Sequence, residues 1–261
     1  MKYSGRAILL ALLVSTLGLV APASALPGPK YEFPEHSSPG VEMELKEASR
    51  EKRGKMTNVY YNLFTKGLTP GQTLNLYTWV WTVSNGLLSQ AGFQVEPDGK
   101  VVCSQSSEGD VSAEESKHWC QATLNETTLA AVGFRQGQAL RIGLISTDGQ
   151  QKGFAEIIPF PIETEDHGCR LFAERVSENA DSWFVTGDGF KPGDSVHYVL
   201  KRPGNSMEEG DAKLTEMGRL ALMVRPPKSG TPSGTVTVKV EASTCNPVLR
   251  FKWGVSAMEL P

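Results

Sequence analysis

Hydrophobic and polar residues alternate in short segments along most of the chain, and this period of two predicts β-strands. Helical spacing is scarce after the first 25 residues. Glycine and proline, with 26 and 16 residues, recur between the alternating segments, where both favour turns. Strands at intervals of about ten residues, joined by turns, predict an antiparallel β-sandwich.

One turn sequence occurs twice with the same spacing of glycine and proline. GLTPGQTL occupies residues 67–74, and GFKPGDSV occupies residues 189–196. Proline presets φ for the first corner of a β-turn, and the glycine after it accepts a positive φ, which together give a type II turn. We therefore predict structural turns at Gly67, Pro70, Gly71, Gly189, Pro192 and Gly193.

Two further pairs of segments follow in the same order. VEPDGKV at 95–101 corresponds to LTEMGRL at 214–220, and ALRIGLIS at 139–146 corresponds to TVTVKVEAS at 235–243. Three matches in one order indicate a duplicated unit. The hairpin glycines of the two copies are 119 residues apart, whereas the late strands are only 96 apart, so the first copy contains an insertion of about 23 residues.

The repeated pattern G-[LF]-x-P-G-[QD]-x-[LV], with the glycine hairpin and alternating strand that follow, resembles bacterial immunoglobulin-like and fibronectin-III-like extracellular repeats. The resemblance covers residues 41–261 loosely and the eight-residue turn closely. It implies an all-β fold of two tandem immunoglobulin-like antiparallel β-sandwiches, with roles in adhesion, spacing or binding. It implies no shared chemistry, because fold does not fix function.

Prolines and acidic residues mark the boundary between the two copies. Pro159 and Pro161 cannot donate ladder hydrogen bonds, so the last strand of the first copy should end just before them. The acidic segment 163–166 is expected to be a solvated hinge. We predict three regions after the signal sequence: an irregular tail over 26–40, a first sandwich over 41–162 and a second sandwich over 163–261.

The first 25 residues have the pattern of an export signal. Lys2 and Arg6 precede a 14-residue apolar segment, and Ala-Ser-Ala at 23–25 suits a signal peptidase. The apolar segment is shorter than the roughly 20 residues that span a bilayer. We expect a cleaved signal peptide, export to the periplasm or the extracellular space, and no membrane insertion of the mature chain.

The charge of the chain argues against nucleic acid as a partner. Without Lys2 and Arg6, 24 basic residues remain against 29 acidic ones, a net charge of −5, whereas nucleic-acid binding usually needs a basic face. The alternating-charge segment KEASREKRGK at 46–55 is predicted to be a solvated surface element, either a short helix or an exposed hairpin arm.

Four cysteines follow the signal sequence, and an even number in an exported chain indicates disulfides. Because the duplication divides them two and two, we predict one bond between Cys103 and Cys120, which pins the insertion, and another between Cys169 and Cys245. A zinc site with nearby histidines is the alternative. The spacing C-x16-C lacks the usual ligand arrangement, so we predict no metal and no cofactor.

The segment LNLYTWVWTV at 74–83 is apolar on both faces. Alignment with the second copy turns its aliphatic residues toward the core and points Tyr77, Trp79 and Trp81 outward. Burying each such side chain gains about 2–3 kcal/mol, so the insertion, with Trp119 as a lid, or the second copy should cover them. Two alternatives remain: a one-residue shift that buries the rings in the core, and an exposed platform for a sugar or a partner chain.

Other reactive groups do not form a recognisable site. GDSV at 193–196 is similar to the nucleophile block of GDS-type esterases, but the late D-x-x-H pair of that family is missing. The insertion carries four carboxylates without the D-x-D-x-D-G order of calcium loops. These carboxylates are Glu108, Asp110, Glu114 and Glu115. The histidines, which show no ligand spacing, are His36, His118, His167 and His197.

The sequence therefore predicts an exported, non-catalytic protein of two immunoglobulin-like domains that acts in binding, in adhesion or as an envelope scaffold. Its partner, a protein or a glycan, is unknown. The alternative is a carbohydrate-recognition protein that uses the aromatic face of Tyr77, Trp79 and Trp81. A third possibility is a hydrolase with an unrecognised site.

Overall fold

The computed structural model describes residues 36–79, 87–99, 101–103, 128–204, 206–225 and 233–261, with the backbone alone at 87–92, 103 and 128. Within these residues the chain forms sixteen β-strands and one 3-10 segment. The first eight strands are β1 (Glu42–Arg53), β2 (Met56–Lys66), β3 (Thr73–Trp79), β4 (Leu87–Val95), β5 (Val101–Cys103), β6 (Thr128–Ala131), β7 (Leu140–Ser146) and β8 (Lys152–Ile157).

The remaining elements follow from residue 163 onward. They are β9 (Glu163–Asp166), β10 (Cys169–Arg175), β11 (Trp183–Asp188), β12 (Ser195–Arg202), β13 (Ser206–Lys213), β14 (Leu220–Val224), β15 (Gly234–Glu241), β16 (Val248–Trp253) and the 3-10 segment η1 (Gly254–Met258).

The first eight strands form two antiparallel sheets, in the orders β1-β2-β6 and β5-β4-β3-β7-β8. Alternate residues of their strands point into a shared apolar core, as the period-two pattern requires. Leu74 and Leu76 of β3 face Val59, Tyr61 and other buried residues of the opposite sheet in this core.

The second set of strands repeats this arrangement, with sheet orders β14-β11-β10-β9 and β13-β12-β15-β16. Its separate core contains Trp183, whose indole nitrogen donates to the Ala180 carbonyl oxygen at 2.9 Å. The Trp183 ring packs on Phe251 with a centroid distance of 4.7 Å. A disulfide between Cys169 and Cys245 links the start of β10 to the turn that precedes β16, and so joins the two sheets.

The duplicated turn glycines occupy equivalent and equally crowded places. Gly67 and Gly189 have φ angles of +81° and +78°. A Cβ atom would lie 2.0 Å from the Gly40 carbonyl oxygen at Gly67, and 2.0 Å from the Gly168 carbonyl oxygen at Gly189. Glycine is needed at both positions because of the positive φ and because another loop passes directly against the backbone.

The Pro-Gly turns themselves close in the same way in both copies. The Gln72 amide donates to the Thr69 carbonyl oxygen at 3.3 Å around Pro70 and Gly71, and the Asp194 amide donates to the Lys191 carbonyl oxygen at 3.3 Å around Pro192 and Gly193. Both central glycines have φ of +77°. The positive φ directly after proline is the geometry of a type II turn.

Strand pairing also matches between the copies. Leu76 of β3 lies opposite Leu144 of β7, and Tyr198 of β12 lies opposite Val240 of β15. The predicted fold class is confirmed: the described chain is all-β and forms two tandem immunoglobulin-like antiparallel sandwiches. The predicted signal peptide lies outside the described residues.

The two copies differ where the insertion was expected. In the first copy β5 pairs with β4 and β6 pairs with β2. In the second copy β14 follows the glycine hairpin and pairs with β11, and it is the one strand between that hairpin and β15 among the residues that the structure describes. Residues 104–127, between β5 and β6, lie outside the described residues.

The linker and the charged segment also take definite forms. Residues 163–166, expected to be a hinge, form β9 and pair with β10, so the acidic segment belongs to a sheet of the second sandwich. Of the two alternatives for residues 46–55, the structure shows the exposed hairpin arm, which turns at Gly54 between β1 and β2.

Candidate functional site

The predicted aromatic face lies on the side of β3 opposite the core. Leu74 and Leu76 point into the core, so the register follows the alignment of the two copies, and Trp79 points the other way. Trp79 is nevertheless only 2% exposed, and its ring meets Phe154 edge-on with centroids 5.8 Å apart. Tyr77 and Ile145 complete this outer cluster.

A glycine makes room for the outer cluster. Gly143 lies opposite Tyr77 on the neighbouring strand β7, and a Cβ there would approach the Phe154 ring at 2.8 Å and the Trp79 ring at 2.9 Å. Trp81 and Trp119 lie outside the described residues. The use of this face for a ligand therefore stays a prediction, and the Trp79 ring is not at the surface in this structure.

The disulfide prediction is confirmed for the second copy. Cys169 and Cys245 are bonded, with their Cα atoms 6.2 Å apart, and both side chains are buried. Cys103 ends β5, and Cys120 lies outside the described residues, so the bond between them stays a prediction.

The candidate reactive residues do not form a catalytic or metal site within the described residues. Nδ1 of His197 lies 3.1 Å from a carboxylate oxygen of Asp211, and Ser195 lies two residues before His197 on β12. In the described part of the chain no hydrogen bond joins Ser195 to His197, as an activated nucleophile would need. Nor do three His, Cys, Asp or Glu side chains cluster as metal ligands within the described ranges.

The side chains that do converge lie at the joint between the two sandwiches, and the sequence did not reveal them. Arg141 of β7 is 2% exposed. Its Nε atom lies 2.7 Å from Oε2 of Glu156 on β8, and its Nη2 atom contacts Glu174 on β10 of the second sandwich. One buried cation therefore joins a carboxylate from each sandwich.

The three charged side chains of Arg141, Glu156 and Glu174 are partly removed from water. Burial raises the pKa of the Glu156 carboxyl, and the charge of Glu174 raises it further, while Arg141 opposes both effects. A cation between two carboxylates removes most of their mutual repulsion, and removing it would leave two partly buried anions together.

A second buried arginine, Arg175, directly follows Glu174 on β10 of the second sandwich. Arg175 is 1% exposed, donates from Nε to the Ser177 carbonyl oxygen at 2.9 Å, and contacts the Glu178 carbonyl oxygen and the Met258 sulfur through Nη2. Burial and the charge of Arg135 both lower the pKa of the Arg175 guanidinium. The Arg175 backbone amide donates to the Gly137 carbonyl oxygen of the first sandwich at 2.8 Å.

The loop around Gly137 fits closely against the second sandwich. Gly137 has a φ of +71°, and a Cβ there would lie 2.6 Å from the Trp183 ring and 3.0 Å from the Ala173 carbonyl oxygen. The Gly137 amide donates to the Phe160 carbonyl oxygen at 2.9 Å, which holds the loop against the end of the first sandwich.

The last residues of the chain close the joint. Arg135 donates from Nε to the Met258 carbonyl oxygen at 2.8 Å, and the Thr57 hydroxyl donates to a Pro261 oxygen at 3.2 Å. A cavity of about 160 Å³ remains between the two sandwiches and the C-terminal segment. Residues of both sandwiches and of the C-terminal segment line it, among them Gln136, Ile162, Trp183, Lys252, Ser256 and Leu260.

A weak signal for the joint is present in the sequence. Arg141 is a charged residue within an otherwise apolar strand, ALRIGLIS, and such a residue needs a partner if it is buried. Nothing in a single sequence shows that the partner is Glu174, 33 residues further along the chain in another domain.

No protein-family model matches the chain, and no curated protein matches its sequence. Among solved structures, a tetra-tandem repeat from the extending region of a large adhesion protein is similar over 82% of this chain, with 10% identity and a TM-score of 0.26. This chain spans about half, 49%, of that one.

The chicken interferon gamma receptor alpha chain is similar over 81% of this chain and 98% of its own length, with 10% identity and a TM-score of 0.24. Neither similarity, at such identities and scores, bears on what this chain binds. Across the described ranges, no helix combines the length and the apolar character needed to cross a membrane.

Proposed function

We propose that this chain is an exported binding or scaffold protein that holds two immunoglobulin-like sandwiches in one fixed relative orientation and acts without catalysis. The observation that carries the proposal is the joint, where the buried Arg141 is shared by Glu156 of the first sandwich and Glu174 of the second. Because the fold alone does not distinguish a binding protein from an enzyme, this contact between the two sandwiches is what supports a scaffold role.

The physical reason is that tandem domains usually move relative to one another. Inter-domain interfaces within a chain are typically modest and polar, and motion across them is the default. Here the interface includes a buried ion pair, a backbone hydrogen bond from Arg175 to Gly137 and the packing of Gly137 on Trp183. A fixed orientation matters for a spacer, or for a protein that presents two surfaces at a set angle.

Export is supported by the disulfide. Cys169 and Cys245 are bonded across the two sheets of the second sandwich, and such bonds persist in oxidising compartments. Cell fractionation should place the protein in the periplasm or the medium. Accumulation of the intact chain in the cytoplasm would contradict this part of the proposal.

The fixed orientation can be tested by residual dipolar couplings of the purified protein. We expect one alignment tensor to fit the backbone amides of both sandwiches. In the double variant Arg135→Ala/Glu174→Ala, which removes one joint contact from each sandwich, two different tensors should be needed. The control is Arg170→Ala, which removes an exposed pair with Asp188 away from the joint. Two tensors in the wild-type protein would contradict a rigid scaffold.

The biological role can be tested with the same variants. In a strain that lacks the gene, wild-type protein and Arg170→Ala should reverse the defect that the deletion causes. The folded double variant Arg135→Ala/Glu174→Ala should not reverse it. Full restoration by the joint variant would show that the fixed orientation is not needed. Turnover of a panel of simple esters or glycosides by the purified protein would favour an enzyme instead.

A further inference from the structure

Strand β1 forms an unusually long edge. It is the outer strand in the sheet order β1-β2-β6, and eleven of its twelve residues pair with β2, its one partner strand within the described residues. Every residue from 46 to 53 is exposed. A long exposed edge presents backbone donors and acceptors to which another strand can add, and natural proteins usually shorten or cover such edges.

The charges along this arm are arranged antisymmetrically about its centre. The midpoint lies between Ala48 and Ser49, and each charged residue of β1 except Lys52, which has Leu45 at the equal distance, has an opposite charge there. The pairs within β1 are Glu44 with Arg53, Lys46 with Glu51 and Glu47 with Arg50, and Glu42 corresponds to Lys55 in the turn that follows the strand. Two copies of β1, paired antiparallel about a twofold axis at this midpoint, would set each acidic residue opposite a basic one.

A bulge makes this register geometrically possible. Directly opposed residues of an antiparallel pair lie on the same face of the sheet. In a regular strand, Lys46 and Glu51 would face opposite sides, because they are an odd number of residues apart. The pairing of β1 with β2 shifts by one residue between Glu47 and Ser49. Beyond this shift the odd-numbered residues lie on the face that the even-numbered residues occupy before it, so Glu51 lies on the same face as Lys46.

The register with β2 shows the resulting faces. Lys46 lies opposite Asn62 and Glu51 opposite Asn58, so both belong to the outer face of the sheet. In the same way, Glu47 and Arg50 lie opposite Tyr61 and Val59, on the core-facing side. In the register set by the charges, the opposed residues of the two β1 strands therefore lie on the same face of the sheet, as antiparallel pairing requires.

We propose that β1 is the interface of a twofold-symmetric dimer of this chain, formed by antiparallel pairing with β1 of a second copy so that Glu47 lies opposite Arg50. The central charges are already ordered for it. Oε2 of Glu47 lies 2.8 Å from Nη2 of Arg50 within one strand, and the same Nη2 atom also donates to the Pro159 carbonyl oxygen at 3.1 Å. With these contacts in place, the dimer sets four alternating charges together at the axis.

The charge pattern also favours this register over its neighbours. A shift of two residues in one direction sets Lys46 against Arg53, and a shift in the other sets Glu44 against Glu51. In the shifted registers these like-charge contacts offset the attraction that remains, between Glu47 and Lys52 or between Glu42 and Arg53, whereas the unshifted register opposes only unlike charges. Because like charges directly opposite destabilise strand pairing, the unshifted register is the most favourable of the three.

The test is a charge reversal and its rescue, read by sedimentation velocity over a concentration series. The wild-type protein should show a monomer–dimer equilibrium that weakens with added salt. Lys46→Glu or Glu51→Lys should each weaken dimerisation by at least about tenfold, because twofold symmetry turns two attractive pairs into repulsive ones. The double variant Lys46→Glu/Glu51→Lys should restore the dimer, and a mixture of the two single variants should form heterodimers.

The rescue isolates the proposed contact. Lys46 contacts Glu44 and Glu51 contacts Arg53 within one chain, so a compensating effect between positions 46 and 51 requires a second copy. Circular dichroism checks that each variant is folded. A wild-type protein that remains monomeric at every concentration would overturn the proposal. So would single variants that dimerise as wild type does, or a folded double variant that remains monomeric.

Discussion

Tyr61 is a buried phenol in the core of the first sandwich, on the β2 side that faces β3. Burial raises its pKa to about 12, with a further contribution from the charge of Glu47, whereas a phenol in the unfolded chain ionises near 10. The folded state therefore holds this proton more tightly than the unfolded state does.

The sign of the pH effect follows from that difference. The contribution of Tyr61 to stability is fully present below about pH 10 and is lost as the pH rises through the folded-state pKa, which is about 12. A shift of this size amounts to about 2–3 kcal/mol. In Tyr61→Phe, the free energy of unfolding by urea should fall less steeply over this range than in wild type. Tyr60→Phe, on the other face of β2, is the control, and equal slopes in all three proteins would contradict the prediction.

Gly143 is the residue on which the outer cluster depends. In Gly143→Ala, the new Cβ would lie within 3 Å of both the Phe154 and Trp79 rings, so the rings must move or the strand must shift. We expect a loss of about 1–3 kcal/mol in the free energy of unfolding, typical of overpacking. Gly153→Ala is the matched control, because its nearest neighbour is a side-chain methyl of Val41 at 3.3 Å. Equal losses in both variants would show that crowding at Gly143 is not the cause.

For single residues, the sequence predicts which way a side chain points better than it predicts which side chains pack against it. Alternation, checked against the second copy, correctly turned Leu74 and Leu76 toward the core. It could not show that Phe154 lies over Trp79, because that contact depends on β8, which does not lie next to β3 in the sheet. The direction of a side chain is a local property of its strand, whereas the residues that pack over it are determined by the tertiary arrangement.

Among elements, the duplicated turns make a specific prediction about glycine. Gly189 and Gly193 both have a positive φ, but only Gly189 has another backbone against it. Gly193→Ala should therefore lower the free energy of unfolding by about 1 kcal/mol, the usual cost of the left-handed conformation. Gly189→Ala should cost roughly 3 kcal/mol or more, because the Cβ would lie 2.0 Å from the Gly168 carbonyl oxygen.

Denaturant unfolding of the two variants measures this difference directly. If the two variants lost the same stability, the close approach of the Gly168 loop would not be a constraint in solution. The same comparison applies to the first sandwich, where Gly67 has the equivalent approach to Gly40 and Gly71 has open space.

The elements also show where local patterns are insufficient. The Pro-Gly turns were predictable because the two residue types determine the backbone angles wherever they occur. The acidic segment 163–166 was expected to be a hinge because its composition is polar, yet it pairs with β10 as strand β9. A polar edge strand and a polar linker have the same composition, and only the partner strand distinguishes them.

For the whole molecule, the decisive contact is the pair of Arg141 and Glu174, since it joins the two sandwiches. The sequence predicted two sandwiches but not a joint. Arg141 alone indicated a need for a partner, and residues in different domains are not related by any turn or period. A double-mutant cycle with Arg141→Met and Glu174→Gln measures whether the contact exists in solution.

We expect Arg141→Met alone to lower the free energy of unfolding by about 2–3 kcal/mol, because two partly buried carboxylates lose their shared cation. The coupling between Arg141 and Glu174 should be about 1–3 kcal/mol, as for residues in one ionic network. The exposed pair of Arg170 and Asp188 is the control and should couple by about 0.2–1 kcal/mol. Additive effects of Arg141→Met and Glu174→Gln would mean that the sandwiches do not share this cation, and the rigid joint would then have to rest on the Gly137 loop and the C-terminal segment alone.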